Sequence, residues 1–246
     1  MKRSSETPPM MRLKPQTIPR TCPEPEIFNE LVSLDGMAVL ELGCGAAELT
    51  RIIATEGSGR SVVALEIDEV QHALNLQIED LPNVIFALAG AESIPAVDDT
   101  FDVAFMFKSL HHVPVELMGL VLDEIRRVLV PGGLAYISEP IFDGDFNEVL
   151  RLFHDESQVR AAAFDAIKWA VDSGSFELVS ETFFKTPRIF ANFAEFEDRV
   201  IGATHSCFEL SDELRSEVRS RFEHHVTDQG VHFFPPNRVD LLRRPL

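Results

Sequence analysis

The chain has 246 residues, with 22 basic against 40 acidic side chains for a net charge of −18, and 45% of its residues are hydrophobic. A chain of this size and apolar content buries about 70% or more of its unfolded surface around one core, which excludes a wholly disordered polymer. No run approaches the roughly 18 apolar residues of a membrane span, the N-terminus lacks a secretory apolar stretch, and no basic track suited to nucleic acid follows Lys2, Arg3, Arg12, Lys14 and Arg20. The expectation is a cytoplasmic protein with a small, neutral or cationic ligand and no membrane or nucleic-acid partner. Cys22, Cys44 and Cys207 are too few and too scattered for a disulfide framework, and they read as reduced thiols.

Six of the fifteen prolines fall in the first 25 residues, which argues against regular helix or central strand there and marks residues 1–26 as an arm. Two readings stand for it: a flexible leader, or a segment near 12–20 that orders over a ligand cleft. From Met37, short apolar runs at 37–42, 61–67, 83–89, 102–107 and 134–138 predict buried parallel strands. Between them, 48–55, 70–76 and 115–128 carry apolar residues at helical spacing. Strand–helix alternation predicts a doubly wound α/β fold, a mostly parallel sheet with helices on both faces. Pro131-Gly132-Gly133 ends a helix and turns into the fifth strand.

Past Ser138 the pattern changes, because 14 of the 19 phenylalanines lie beyond residue 140. Helices are predicted over 146–171, 193–201 and 211–225, with a sixth strand at 176–182 and a last one at 239–242. The phenylalanines read either as core or as the wall of an apolar chamber.

The strand at 37–42 runs into Gly43 and Gly45 and then into a helix. In an open α/β sheet, such a turn beyond the carboxyl end of a strand lets the backbone approach a cofactor without a Cβ in the way. A dinucleotide site wants a small residue three positions after the second glycine, where this chain has Glu48. That carboxylate, and the want of a Tyr-Lys pair, weigh against a nicotinamide-dependent oxidoreductase. With Glu41 it suits a ligand that carries a cationic group. Glu66 closes the second strand 21 residues after Gly45, where a carboxylate accepts hydrogen bonds from ribose hydroxyls.

Taken together, ELGCGAA at 41–47, EID at 66–68, AESIPAVDDTFD at 91–102, SLHHV at 109–113 and RVLVPGGLAYISEP at 127–140 resemble the successive motifs of class I S-adenosylmethionine-dependent methyltransferases. The branch most resembled includes quinone C-methyltransferases and small-molecule (type 11) methyltransferases, and the resemblance covers residues 37–140. It implies a Rossmann-like, seven-stranded sheet whose last strand is antiparallel and inserted between the fifth and sixth. It also implies S-adenosyl-L-methionine as cofactor, held by Glu41, Gly43, Gly45, Glu66, Ile67, Ala91, Glu92 and Phe107, and a small-molecule methyl acceptor. Two positions depart from the pattern. Ala47 is the third small residue of the glycine motif, and Gly90 stands where many relatives have an aspartate that binds the adenine amino group; either that contact passes to Glu92 or to backbone near Ala91, or cofactor affinity is lower. Gly90 also supports a runner-up reading, a non-catalytic cofactor-binding or partner-regulating protein.

The family joins its last two strands by a short turn, whereas residues 183–238 intervene here, far beyond ordinary loop length. With 141–175 they are expected to form a helical substrate cap on a single domain of residues 27–246. Phe184, Phe190, Phe193 and Phe196 either line its inner wall or pack its helices to the sheet.

Methyl transfer from a sulfonium is an in-line displacement that needs alignment and exclusion of water, plus a base only where the acceptor must lose a proton. His111 and His112 follow the fourth strand and are the best placed candidates for that role. His154 and His205, with Phe190, are the acceptor-side candidates, and His232 is a further one; for each, an ordinary hydrogen-bonded or surface role stands beside the catalytic one. His224, His225, His232, Asp143 and Asp145 match no metal-ligand spacing, so no metal is predicted and the two aspartates are placed at the cleft rim. The predicted activity is methylation of a small, apolar or amphipathic acceptor.

Overall fold

The computed structural model describes residues 11–202 and 208–246, so residues 1–10, His205 and Cys207 lie outside the described residues. The chain begins with α1 (Glu24–Leu31), β1 (Ala38–Leu42), α2 (Glu48–Thr55), β2 (Ser61–Glu66), α3 (Glu69–Asn75), β3 (Val84–Leu88), β4 (Phe101–Phe107), α4 (Met118–Val128) and β5 (Leu129–Pro140). It continues with α5 (Asp145–Leu150), α6 (Ser157–Asp172), β6 (Glu177–Lys185), β7 (Arg188–Phe190), α7 (Phe193–Phe196), α8 (Asp212–Glu223), β8 (Val231–Phe233) and β9 (Pro236–Arg243).

Seven strands form one sheet in the order β3-β2-β1-β4-β5-β9-β6. The first five pair in parallel, and β9 runs antiparallel to both β5 and β6. This is the sheet of the Rossmann-like methyltransferase fold. Successive residues point to opposite faces. Leu40, Leu42, Ala104, Met106, Ala135 and Ile137 join the core under α4 and α6, while Val39, Val103, Phe105 and Tyr136 join the core that receives Ile27 and Phe28 of α1 and Ile53 of α2. Burial on both faces is why these strands read as continuous apolar runs. The chain winds outward from β1 to β3 and then returns to β4, so the topological switch point lies between β1 and β4.

Two expectations need correction. The prolines of the arm do not exclude helix up to residue 26, because α1 starts at Glu24 with Pro23 as its N-cap and Pro25 in the first turn, where a missing N–H costs nothing. The region between β6 and β9 is not purely helical, since β7 and β8 pair as a two-stranded antiparallel sheet. With α5, α7 and α8 this sheet encloses a third core of Phe146, Phe190, Phe193, Phe196, Phe222 and Phe233. The described part of the arm lies along edge strand β6, where Thr21 bridges Lys185 and the backbone of Arg12 donates to Glu181 Oε1 at 2.8 Å. That covering pairs part of an otherwise open sheet edge.

Candidate functional site

The glycine turn departs from β1 at Leu42 with Gly43 and Gly45 both at positive φ, 71° and 52°. A Cβ at Gly43 would stand 3.0 Å from the Cβ of Ser109, whereas a Cβ at Gly45 would meet nothing within 4 Å and project into open space. Ala47 also sits in the left-handed region, at φ 61°, as the N-cap of α2. Its smallness therefore serves a backbone conformation as well as helix packing. Asn75 of α3 donates to the Gly45 carbonyl at 2.8 Å and holds the turn from below.

Two buried carboxyls, Glu66 and Glu41, lie at this turn, and a third, Glu92, lies beside Gly90. Glu66 is 8% exposed, accepts from the Gly45 N–H at 2.7 Å on Oε2 and from the Ile67 and Asp68 N–H groups on Oε1. It makes no ion pair among the described residues, and a carboxylate has about four lone-pair sites, so capacity remains for a hydroxyl. Glu41 lies deeper, 2% exposed, with Oε2 lacking a partner among the described residues. Burial pushes its carboxyl up to about 7, and the nearby Glu66 charge adds to the shift. The same burial and the same two carboxyls push the Cys44 thiol up to about 12, so it is no nucleophile at neutral pH. A Cβ on residue 90 would stand 2.3 Å from the Glu92 carboxyl oxygens, so that carboxyl occupies the space beside Gly90. Ile67 is 65% exposed at the rim, and Ala91 is half-buried beside Glu92.

On the other side of the switch point, β4 ends at Phe107, whose ring stacks on Phe105 at 5.1 Å within a cluster with Phe28 and Tyr136. Phe107 thus packs in the core under α1, and its neighbour Lys108 takes the cleft position. Lys108 has φ 54°, an uncommon conformation for a side-chain-bearing residue, and its ammonium lies 3.5 Å from Glu24, which also accepts from the buried Tyr136 hydroxyl at 2.8 Å. Ser109 donates to the Leu42 carbonyl at 3.1 Å and ties this loop to the glycine turn.

Lys108, His111 and His112 open into a cleft of about 560 Å³ whose far wall is the cap. His111 is 5% exposed and donates from Nδ1 to Glu139 Oε2 at 2.6 Å, while Glu139 Oε1 accepts from the Leu110 N–H. A carboxylate only accepts, so a proton sits on Nδ1. The Nε2 of His111 lies 3.8 Å from Glu156 Oε1, which His154 Nε2 contacts at 2.7 Å, and Arg160 binds the other Glu156 oxygen. The charge partners lower the Glu156 carboxyl against a burial effect that alone would raise it. His111, His112 and Glu156 offer ligand atoms all within 4.8 Å of one another, a donor set of the kind that holds a divalent metal. Hydrogen bonds to Glu139, His154 and Arg160 hold His111 and Glu156 in these positions.

The structure therefore brings His111, His112 and His154 together and leaves other singled-out residues apart. Phe190 is 1% exposed at the centre of the cap core, packed on Phe196 and Phe222, and does not line the cleft; Phe193 and Phe196 share that interior, and Phe184 is buried on the opposite face of the sheet. Core packing, rather than a chamber wall, explains these four. Asp143, Asp145 and His232 line a separate cleft of about 490 Å³ against arm residues 14–19, where Asp143 lies 3.4 Å from Lys14. Glu139, Glu156 and Arg160 were not singled out from sequence; the one local signal was the i,i+4 spacing of Glu156 and Arg160, a pairing common on any helix.

A model of the methyltransferase-domain family matches residues 39–133. An O-methyltransferase of Aspergillus nomiae is 30% identical over 178 residues, covering 68% of this chain and 77% of that one. The sterol 4-C-methyltransferase of Caenorhabditis elegans is 27% identical over 177 residues, covering 64% of this chain and 51% of that one. The chain thus spans about half the length of some of the curated relatives it matches. A solved candidate methyltransferase of Bacillus halodurans C-125 superimposes with a TM-score of 0.65 at 20% identity, covering 91% of this chain and 99% of that one, which shows a shared fold. On the order of its motifs, its sheet and its relatives, the chain belongs to the family of S-adenosylmethionine-dependent methyltransferases.

Proposed function

We propose that the protein transfers a methyl group from S-adenosylmethionine to a small amphipathic acceptor bound in the cleft between Lys108–His112 and the cap. The observation that supports it most is adjacency: Ser109 packs against Gly43 while the same loop supplies Lys108, His111 and His112 to the 560 Å³ cleft. A donor at the glycine turn and an acceptor in the cleft would then meet at the end of β4.

The residues of the crevice suit that cofactor. Gly45 leaves a cradle that a Cβ would fill, and Glu41 and Glu66 supply the negative charge a sulfonium and an ammonium require. Glu66 is positioned for the ribose hydroxyls, Ile67 for the exposed face of the adenine and Glu92 for its amino group in place of the aspartate. When bound, S-adenosylmethionine supplies an electrophilic methyl on a leaving group that departs neutral. The chain's part is to align the acceptor at about 3 Å, exclude water and accept a proton where one must leave. His111 serves as that base: Glu139 fixes its tautomer and ring plane, leaves Nε2 free to take the proton and then stabilises the imidazolium. His112 and His154 position the acceptor.

Calorimetry on the full chain with S-adenosylmethionine and S-adenosylhomocysteine tests the reading, followed by quantitation of S-adenosylhomocysteine released across a panel of hydroxylated, aminated and carbon acceptors. Micromolar-range binding and turnover of one acceptor are expected. Silence with both nucleosides would overturn it, and binding without product across the panel would favour the non-catalytic alternative.

A further inference from the structure

The acceptor cleft has the opposite electrical character to the chain that builds it. Its lining includes Lys108, Arg160, Arg188 and Arg199, with Glu156 as the only acid among the described residues, in a protein of 40 acidic and 22 basic residues. Most of these cations have partners. Lys108 faces Glu24, Arg160 is bound by Glu156 and Asn147, and Arg199 by Glu195 at 2.8 Å. Arg188 is different. Its side chain has no acidic partner and no hydrogen bond among the described residues.

Arg188 begins β7 and is solvent-accessible at the cleft, with its guanidinium over the Phe146 ring, 5.0 Å from the centroid. The like charges of Arg160 and Arg199 lie close enough to disfavour its charged form. An exposed guanidinium with two cationic neighbours and no acid beside it among the described residues is open to pairing with an anion. Guanidinium also presents a planar fork of donors that matches an oxyanion. Phe146, Phe153 and Phe208 make the adjoining surface apolar.

We propose that the methyl acceptor is an amphipathic acid whose oxyanion, a carboxylate or a phosphate, pairs with Arg188 while its apolar body lies on the Phe146 side of the cleft. This rests on the reading of that cleft as the acceptor site. It reverses the expectation, drawn from net charge alone, of a neutral or cationic ligand. The anion anchors at the cap and leaves the reacting end toward His111, so Arg188 is a specificity-determining residue rather than a catalytic one. A divalent metal held by His111, His112 and Glu156 is the less favoured occupant, because Lys108 and the three arginines repel a dication.

The test uses the full chain saturated with S-adenosylhomocysteine, titrated calorimetrically at constant ionic strength with benzoate, its neutral analogue benzamide, and inorganic phosphate. Saturable binding of benzoate or phosphate, with benzamide much weaker, is expected; whichever anion binds better identifies the headgroup. Arg188→Ala is expected to weaken that binding by about tenfold or more, and Arg188→Lys to recover part of it. Arg51→Ala, a surface arginine of α2 paired with Asp80, leaves it unchanged. Equal anion affinity in wild type and Arg188→Ala overturns the proposal, as does equal affinity for benzoate and benzamide, or anion binding that appears only after zinc chloride is added. S-adenosylhomocysteine affinity is read in the same samples and stays at the wild-type value in all three variants. Its absence in wild type would count against the methyltransferase reading, while its presence without anion binding would count against the Arg188 assignment alone.

Discussion

Around the glycine turn the chain buries carboxyls, Glu41 and Glu66, whereas the cap side of the cleft gathers Lys108 and three arginines with one acid, Glu156, among the described residues. The first group comes mostly from strand ends and turns of one contiguous βαβ stretch; the second is collected from a loop after β4, from α6, and from β7 and its neighbours. The contrast separates two tasks. A cationic cofactor is held by local sequence that backbone geometry already fixes, and the acceptor is selected by side chains that meet only through the fold of an insertion.

The comparison breaks most readily at the turn. Gly45→Val forces a β-branched residue into φ 52° and fills the open cradle, and Gly43→Val adds a clash with Ser109; both are expected to abolish detectable S-adenosylmethionine binding in calorimetry, with circular dichroism to verify folding. Next in size is the pair at the boundary of the two regions. His111→Ala and Glu139→Gln are expected to lower kcat by about 10²–10⁴-fold on an acceptor that wild type methylates, while S-adenosylhomocysteine affinity changes little. A parallel loss of cofactor affinity would instead place His111 in the cofactor half.

Glu66→Ala removes hydrogen bonds to a charged acceptor and is expected to weaken cofactor binding by about 1.5–3 kcal/mol. The same affinity in Glu66→Ala and wild type would refute the ribose assignment. Glu41 gives a pH signature that the cap side lacks. Its folded pKa is raised from 4.5 to about 7, so the folded chain holds the proton more tightly than the unfolded one; its contribution to stability is greatest below pH 4.5 and is lost as pH rises to about 7. A cationic ligand favours the ionised form, so S-adenosylmethionine affinity is expected to rise across pH 6–8, and Glu41→Gln to flatten that profile. The smallest effect is at Ala47: replacement by glycine relieves the left-handed strain at φ 61° and is expected to change unfolding free energy by less than about 1 kcal/mol, because glycine also loosens the unfolded chain.

The core fold was legible because both faces of the sheet are covered. The apolar runs at 37–42, 61–67, 102–107 and 134–138 had to be internal strands, and the observed β1, β2, β4 and β5 overlap them. The place of β9 between β5 and β6 came from resemblance and not from the sequence pattern, since pairing order leaves no local trace. Phe190 and Phe107 show the limit for side chains. Each lay in a plausible segment, yet period and composition do not distinguish a ring that packs inward from one that faces a ligand, and here Phe190 fills the cap core and Phe107 the core under α1. Arg188 carried no signal at all, because its significance is the want of an acidic partner in three dimensions.

What the amino-acid sequence determined by itself was whatever depends on neighbours along the chain: strand and helix periodicity, a turn with glycines at 43 and 45, and a carboxylate closing β2. Tertiary structure alone decided which titratable groups share a cavity. His111 with Glu139 is separated by 28 residues and Lys108 with Glu24 by 84, and only packing of the sheet against α1 and the cap brings such groups within reach of one another. Charge interactions fall off with distance in space, and distance along the chain sets no bound on them.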